Sequence, residues 1–183
     1  MYFKEPGKIN TQKTCELALK KAYETGIKHI VVSSNTGYTL TYLTDSKLNL
    51  VCVTHQVGFR EPGCDEMGEQ KREELKKTGV KLLTTTHLMG GIERAALRKF
   101  GGNGIQSITA YTLRMFGQGT KVCAEIATMA LDAGLIPYGE DIIVIGGSGR
   151  GADTAWIVRP AHSHQYYETE MKELICKPTK LKK

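Results

Sequence analysis

The sequence predicts an α/β fold in which helices cover both faces of a mostly parallel sheet. Short apolar runs rich in β-branched residues alternate with longer segments of helical spacing, and this alternation is typical of parallel α/β sheets. The last two apolar runs are separated only by the short segment "SGRGAD", which leaves no room for a parallel crossover. The sequence therefore predicts a mixed, mostly parallel sheet of five strands whose last strand is antiparallel.

Five apolar runs are predicted strands, because each is short and bounded by glycine, polar or charged residues. These runs are residues 29–34, 48–54, 80–86, 141–147 and 154–160. Segments with helical periodicity or a strongly charged face are predicted helices. They are residues 10–24, 69–79, 91–104, 107–116, 120–133 and 164–176, with a helical or loop stretch at 39–46.

Two of the predicted helices carry a marked amphipathic pattern. The first begins at Asn10, which can cap its start, and is ended by Gly26. Its inner face is formed by Cys15, Ala18, Leu19 and Ala22. The final predicted helix has an inner face formed by Tyr167, Met171, Leu174 and Ile175.

The composition is that of one globular domain, expected to span residues 1–176 and to be followed by a basic tail at 177–183. Of the 183 residues, 40% are apolar and 24% charged. No apolar run approaches the length of a membrane span, and the N-terminus lacks an apolar signal region. A cytoplasmic location without a membrane partner is expected. The net charge is +6, but four lysines stand in the last seven residues, so no nucleic-acid surface is predicted.

The cysteine pattern predicts reduced thiols rather than a metal site. Cys15, Cys52, Cys64, Cys123 and Cys176 are odd in number and include no CxxC pair. Zinc sites need clustered ligands, whereas isolated cysteines in cytoplasmic proteins pack as small apolar side chains.

Four glycine-containing loops are predicted to meet at one edge of the sheet, because ligands of open α/β sheets bind outside the carboxyl ends of the parallel strands. The loops are "SSNTGYT", "HQVGF", "HLMGG" and "GGSGRGAD". His55, His87 and Arg150 stand in three of them. Hydroxyl groups, backbone amides and a fixed cation at one edge favour an anionic ligand, with a phosphate in the loop 33–39.

The candidate binding residues all belong to these loops or to the adjoining strand ends. They are Ser33, Ser34, Asn35, Thr36, Gly37, Tyr38, Thr39, Thr54, His55, Gly58, Phe59, His87, Gly147, Ser148, Gly149, Arg150, Gly151, Ala152, Asp153 and Thr154. Gly37 is expected to let the backbone turn and approach a ligand. The competing interpretation is that the serines, asparagine and threonines of 33–39 only cap a helix.

Other features of these loops have structural interpretations as well. Gly147, Gly149 and Ala152 fit the dinucleotide pattern G-x-G-x-x-A, but an apolar strand follows where that pattern requires a helix. The segment is therefore predicted to be a glycine hairpin that carries Arg150 and Asp153, with a plain turn as the alternative. Single histidines are usually satisfied polar groups, and an exposed helix face explains Glu93 and Arg94 as well as function does. No nucleophile–base pair, carboxylate pair or metal cluster is assigned from the spacing.

The segment "HIVVSSNTGYTLTYLTDSKLNLVCVT" resembles the C-terminal α/β domain of pyruvate kinase, in which a strand runs into a loop that holds the phosphate of a sugar-bisphosphate effector. "GEDIIVIGGSGRGADTAWIVRP" resembles the closing hairpin of that domain. Stand-alone proteins of this pyruvate kinase C-terminal domain-like family are similar over nearly the whole chain, through "THLMGGIERAALRKFGG", "KVCAEIATMALDAGLIP", "GGSGRGADTA" and "RPAHS". The resemblance implies a three-layer α/β/α fold.

The resemblance also implies flavin mononucleotide (FMN) as a cofactor, since members of this family are associated with it. The expected function is that of an FMN-binding protein, with flavin-dependent oxidoreduction as a candidate activity. The loop 33–39 would hold the phosphate, and the loops with His55, His87 and Arg150 would surround the ribityl chain and ring. The alternatives are a non-catalytic sensor of a phosphorylated metabolite or nucleotide, and an interaction module. Self-association is left open. Pyruvate kinase activity is not expected, because the chain has no room for a catalytic barrel of at least roughly 200 residues.

Overall fold

The computed structural model describes residues 1–180, which build one seven-stranded sheet in the order β1-β7-β6-β5-β2-β3-β4. The strands are β1 (Tyr2–Phe3), β2 (His29–Ser33), β3 (Asn49–Val53), β4 (Lys81–Leu83), β5 (Ile142–Gly146), β6 (Thr154–Arg159) and β7 (Glu170–Pro178). Strands β5, β2, β3 and β4 pair in parallel. Strand β6 is antiparallel to both of its neighbours, so the predicted hairpin is confirmed.

The helices lie in two layers, one on each face of the sheet. They are α1 (Thr11–Thr25), α2 (Glu69–Lys77), α3 (Gly91–Phe100), α4 (Ile105–Arg114) and α5 (Gln118–Asp132), with 3-10 turns at Lys8–Asn10, Tyr38–Tyr42 and Ser163–Glu168. Ile30 and Val32 of β2 belong to the core shared with α1, whereas Val31 belongs to the core shared with α5. Because β2 is covered on both faces, it is a continuous apolar run.

The predicted sheet of five strands is wrong in number, because β1 and β7 add two. The predicted final helix is also wrong, since residues 164–176 form a 3-10 turn followed by β7. Strand β7 pairs with β6 through two register shifts, and its buried residues do not alternate. Without the period of two that marks a half-buried strand, its apolar residues matched a helical spacing instead.

The other boundaries follow the prediction closely. Helix α1 buries Cys15, Ala18 and Ala22, and Gly26 ends it in the left-handed conformation at φ 75°. The side chain of Asn10 donates to the carbonyl of Glu5 rather than capping the helix. The stretch predicted as helix or loop contains the 3-10 turn Tyr38–Tyr42.

Strand β7 also extends into the segment predicted as a basic tail. Lys177 and Pro178 pair with Tyr2 and Phe3 of β1, and Thr179 donates its backbone N–H to the carbonyl of Phe3. Residues 181–183 lie outside the described part of the chain. Within residues 1–180, no helix is long and apolar enough to cross a membrane.

Candidate functional site

A cleft of about 550 Å³ opens at the carboxyl ends of β2, β3 and β5, the edge where the sequence placed the four loops. Most of the predicted binding residues line it. They are Ser33, Ser34, Asn35, Thr36, Tyr38, Thr39, Thr54, His55, His87, Gly147, Gly149, Arg150 and Gly151. The volume is in the range of small-molecule sites, so one cleft contains residues from all four loops or from the strand ends that lead into them.

The remaining candidates are not among the residues that line the cleft. They are Gly37, Gly58, Phe59, Ser148, Ala152, Asp153 and Thr154. Gly37 has φ 79°, and a Cβ there would stand 2.9 Å from the side chain of Lys71 and 3.1 Å from that of Leu75. Gly37 therefore allows both the turn and the close packing of α2. These two requirements, rather than a close approach of its Cα to a ligand, explain the glycine at this position.

Eight further residues line the cleft and were not predicted from the sequence. They are Lys8, Val53, Arg60, Glu66, Gln118, Val122, Glu125 and Ile126. The last four share one face of α5 at helical spacing, and this spacing was the available signal. Whether that face meets a ligand depends on how close the helix comes to the sheet edge. Gly119 allows a close approach, because a Cβ there would stand 2.1 Å from Oγ1 of Thr154.

The loop after β2 carries backbone amides without a partner. Its two serines are already engaged, because the hydroxyl of Ser33 donates to the carbonyl of Ile145 at 3.5 Å and that of Ser34 accepts from the amide of Thr39 at 3.4 Å. The amides of residues 35, 36 and 37 donate to no acceptor within residues 1–180. Consecutive free amides in a turn are a common anion site, and Thr36 adds an exposed hydroxyl.

The loop between β5 and β6 is fixed from below by a buried carboxylate. Asp153 accepts from the amide of Gly7 at 2.8 Å, the amide of Ser148 at 3.2 Å and the hydroxyl of Thr154 at 2.8 Å. The amide of Ala152 donates to Thr11 at 3.0 Å. These bonds tie the loop to the segment before α1, which brings Lys8 into the cleft.

Arg150 stands at the exposed tip of this loop and lines the cleft. Within residues 1–180, no carboxylate lies within 4.0 Å of its guanidinium nitrogens. Arg150 does not pair with Asp153, because Asp153 is buried and bonded elsewhere. Arg150 is therefore available to an anion in the cleft.

At the other end of the cleft, His55 is held by hydrogen bonds on both ring nitrogens. Its Nδ1 lies 2.5 Å from Glu66 and its Nε2 lies 3.1 Å from Nδ2 of Asn35. The backbone amide of His55 donates to Oδ1 of Asn35, which identifies Nδ2 of Asn35 as a donor. Nε2 must then accept, so this network assigns the ring proton to Nδ1, which donates to Glu66. Glu66 also pairs with Arg60 at 3.0 Å.

Three rings cluster around this histidine. The ring centroids of His55 and Phe59 are 3.9 Å apart, and His87 lies 5.4 Å from each of them. Burial lowers the pKa of His87; the carboxylate of Glu125 opposes this and His55 adds to it. This end of the cleft therefore presents an aromatic surface beside the paired charges of Glu66 and Arg60.

Glu125 belongs to a buried ion pair in the cleft wall. Lys121 and Glu125 stand one turn apart on α5 and bind each other, and the amide of Met89 donates to Glu125 at 2.7 Å. Burial lowers the pKa of Lys121, against the opposing effect of Glu125. Because a buried carboxylate is costly unless paired, Lys121 and Met89 explain how Glu125 is kept at the cleft.

Glu93 has a structural role rather than a place in the cleft. Its carboxylate accepts the backbone amides of Gln106 and Ser107 at 3.1 and 2.8 Å, which satisfies free donors at the start of α4. A Cβ at Gly104 would stand 2.2 Å from Glu93, so a glycine is needed there. Arg94 lies over the ring of Phe59 at 5.8 Å.

The cysteines are consistent with packing residues. All but Cys64 are buried, and burial raises the pKa of the thiols of Cys15 and Cys52 to about 12. In the part of the chain that the structure describes, no three histidine, cysteine or acidic side chains come together as metal ligands.

A pH dependence of stability follows from His87. Its folded pKa is lowered from the ordinary value of 6.5, so below that pH the unfolded chain binds a proton that the folded protein does not. Stability is therefore lost as the pH falls through about 6.5 towards the lower pKa of the folded protein. We expect His87→Gln to reduce this slope in urea unfolding series, and His164→Gln, at an exposed position, to leave it unchanged. Equal slopes in wild type and His87→Gln would contradict the assignment.

The family model of the pyruvate kinase alpha/beta domain matches residues 12–158. The chain belongs to the pyruvate kinase alpha/beta domain family. Strands β2 to β5, β6 except its last residue, and all five helices except the first residue of α1 lie in the matched span. Lys8, β1 and β7 lie outside it, so one cleft residue and both added strands belong to segments beyond the match.

Solved pyruvate kinases are similar to this pyruvate kinase alpha/beta domain over most of the chain. One from Cryptosporidium parvum is 16% identical and covers 81% of this chain and 22% of its own, with a TM-score of 0.44. The pyruvate kinase of that organism in complex with ADP is 17% identical and covers 81% of this chain and 23% of its own, with a TM-score of 0.44. A third crystal structure, also of Cryptosporidium parvum pyruvate kinase, is 14% identical and covers 74% of this chain and 20% of its own, with a TM-score of 0.39. The chain thus spans between 20% and 23% of the length of these enzymes.

Proposed function

We propose that the cleft binds FMN, with the phosphate in the loop 33–39 and the ring system beside His55 and His87. The observation that carries this proposal is the polarity of the cleft along its length. The unpartnered amides and the cation of Arg150 belong to the loops after β2 and β5, with Lys8 beside them, and the imidazole and phenyl rings belong to the loops after β3 and β4. A ligand that fits is anionic at one end and flat at the other.

The order of the strands supports a ligand of nucleotide length. The loops with Arg150, Ser33–Thr39, His55 and His87 follow β5, β2, β3 and β4, which are successive neighbours in the sheet. At about 4.8 Å between strands, these loops span roughly 14 Å. A bound phosphate alone would occupy one end of the cleft. A longer molecule explains why both ends of the cleft carry candidate binding residues.

Each group would have a defined role towards FMN. The amides of 35–37 and the hydroxyl of Thr36 would bind the phosphate, and Lys8 and Arg150 would neutralise it. Arg150 follows β5, the neighbour of β2, and this position favours the phosphate over the ring as its partner. His55, backed by Phe59, and His87 would contact the ring. Bound flavin supplies hydride and electron transfer, so oxidoreduction is the candidate reaction class.

We expect the purified protein to bind FMN at least tenfold more tightly than riboflavin, because riboflavin lacks the phosphate that the loop 33–39 would hold. A charge-assisted set of hydrogen bonds worth about 1.5–3 kcal/mol corresponds to this ratio or more. Quenching of flavin fluorescence measures both dissociation constants. Equal affinities would refute the phosphate loop, and absence of binding by either flavin would refute the flavin proposal as a whole.

A second candidate function is a sensor that binds a phosphorylated metabolite or nucleotide without catalysis. The observation that favours it is the state of His55, whose ring nitrogens are both engaged. Within the described residues, that leaves no free base beside the cleft other than His87. Reduction of bound FMN by a nicotinamide donor, at a rate above that of free FMN, would support the oxidoreductase. FMN binding without faster reduction would support the sensor.

A further inference from the structure

Helix α4 presents an apolar face to solvent. The face consists of Ile105, Ile108, Tyr111, Met115 and Phe116, which are 55–72% exposed. At 100° per residue, the three positions in α4 and the two residues that follow it fall within one stripe of about 140°. Charged groups lie only at its border, where the guanidinium of Arg114 bonds to Gln118 and stands 5.1 Å from the ring centroid of Tyr111, and where Lys177 donates to the carbonyl of Phe116. This set of residues is called the α4 face below.

A groove runs beside the α4 face. Its volume is about 390 Å³, and it lies between α4 and the 3-10 turn Ser163–Glu168. Tyr166, Tyr167 and Met171 form the wall opposite Ile108, and Tyr167 is itself 73% exposed. One surface therefore carries both protruding apolar side chains and a groove that can receive such side chains.

The neighbouring helix α3 is also without an adequate partner. No residue of α3 is buried, and Ile92 is 89% exposed. Helices of about ten residues are marginal in water and take their stability mainly from tertiary packing. In residues 1–180, α3 is attached to α4 mainly through Glu93. A molecule covering this side would supply the packing that α3 and α4 lack.

We propose that the α4 face and its groove form the interface of a homodimer, with a second copy of this chain as the occupant. A twofold interface uses the same patch on both partners, and a patch that contains both ridge and groove can be complementary to itself. The five side chains of the face are themselves uncharged and largely apolar, which favours an equally apolar partner. The five residues of the face and Tyr167 expose roughly 100 Å² each, so with α3 the surface approaches the roughly 800 Å² per partner of a stable interface.

The dimer leaves the cleft intact, because no residue of the α4 face lines it. The proposal is therefore independent of FMN. It also fits the position of α4, which packs against the outer side of α5 rather than on the sheet.

The test compares two tyrosines of similar exposure on different helices. Tyr111 on α4 is 69% exposed and Tyr23 on α1 is 62% exposed, so neither change to glutamate removes a buried contact of the single chain. At about 100 μM, where an interface with a micromolar dissociation constant is mostly associated, we expect wild type and Tyr23→Glu to show twice the chain mass of 20.2 kDa. We expect Tyr111→Glu and Ile108→Glu to show the single mass, with unchanged circular dichroism.

Sedimentation velocity gives these masses directly. A wild type that is monomeric at this concentration would overturn the proposal, as would a dimer that Tyr111→Glu and Ile108→Glu leave intact. A monomeric wild type that sediments with lipid vesicles, and loses this with Tyr111→Glu, would assign the α4 face to a membrane surface instead and would equally overturn the dimer. If Tyr111→Glu unfolds, Ile108→Glu decides the question.

Discussion

Arg150→Ala is expected to weaken FMN binding by about tenfold to a hundredfold. Arg150 lines the cleft, and in residues 1–180 no carboxylate competes for it. Its charge-assisted hydrogen bonds to a phosphate would contribute about 1.5–3 kcal/mol, and 1.4 kcal/mol corresponds to a factor of ten. Arg150→Lys should recover part of the loss, because lysine keeps the charge without the planar fork. Fluorescence titration measures each constant.

Two comparisons make this result specific to the phosphate. Riboflavin affinity should be nearly the same in wild type and Arg150→Ala, because riboflavin has no anion for Arg150 to bind. Arg98→Ala, which removes an exposed arginine on α3, should leave FMN affinity unchanged. If Arg150→Ala leaves the FMN constant unaltered at both low and physiological salt, the loop after β5 has no part in binding.

Asp153→Ala is expected to lower the free energy of unfolding by about 2–4 kcal/mol. The carboxylate of Asp153 is fully buried and accepts hydrogen bonds from Gly7, Ser148 and Thr154. Alanine would leave these buried donors without an acceptor. It would also release the loop of Arg150 from the segment before α1, so FMN affinity should fall as well. Urea unfolding measures the first effect.

Asp141→Ala is the matched control, since it removes the same side chain from a partly exposed position. Asp141 pairs with Arg159 and Lys172 at the surface, and such pairs contribute less than about 1 kcal/mol. The contrast between the two aspartates is the informative quantity. Similar unfolding midpoints for Asp153→Ala and Asp141→Ala would mean that Asp153 does not fix the loop.

The parallel part of the sheet could be predicted because its strands are buried on both faces. Val31 and Val32 point to opposite sides and both find an apolar layer, so β2 is apolar without interruption. The polar loop that follows it was then placed at the correct edge by the parallel topology alone. Strand β7 could not be predicted in this way, because its register shifts against β6 remove the alternation that identifies a strand.

The site was predictable where it depends on strand ends and unpredictable where it depends on packing. His55 and His87 directly follow strands, and both line the cleft. Glu125 shares the helical spacing of the other α5 residues in the cleft, but the sequence does not reveal that Lys121 and Met89 stabilise its carboxylate there. Asp153 was misjudged as a loop residue facing a ligand, since nothing in "GRGAD" indicates that its carboxylate turns inward.

The pairing of β1 with β7 joins Tyr2 to Lys177, and the amino group of Met1 donates to the carbonyl of Ile175. During synthesis, β2 to β5 can associate once residue 146 has emerged, because their contacts lie within that part of the chain. The first strand, in contrast, has no partner until the last one exists. Until then β6 has an open edge, a template for wrong pairing between nascent chains. The order of translation therefore leaves the β6 edge of the sheet unpaired for the longest time. This is the edge that β7 and β1 finally cover.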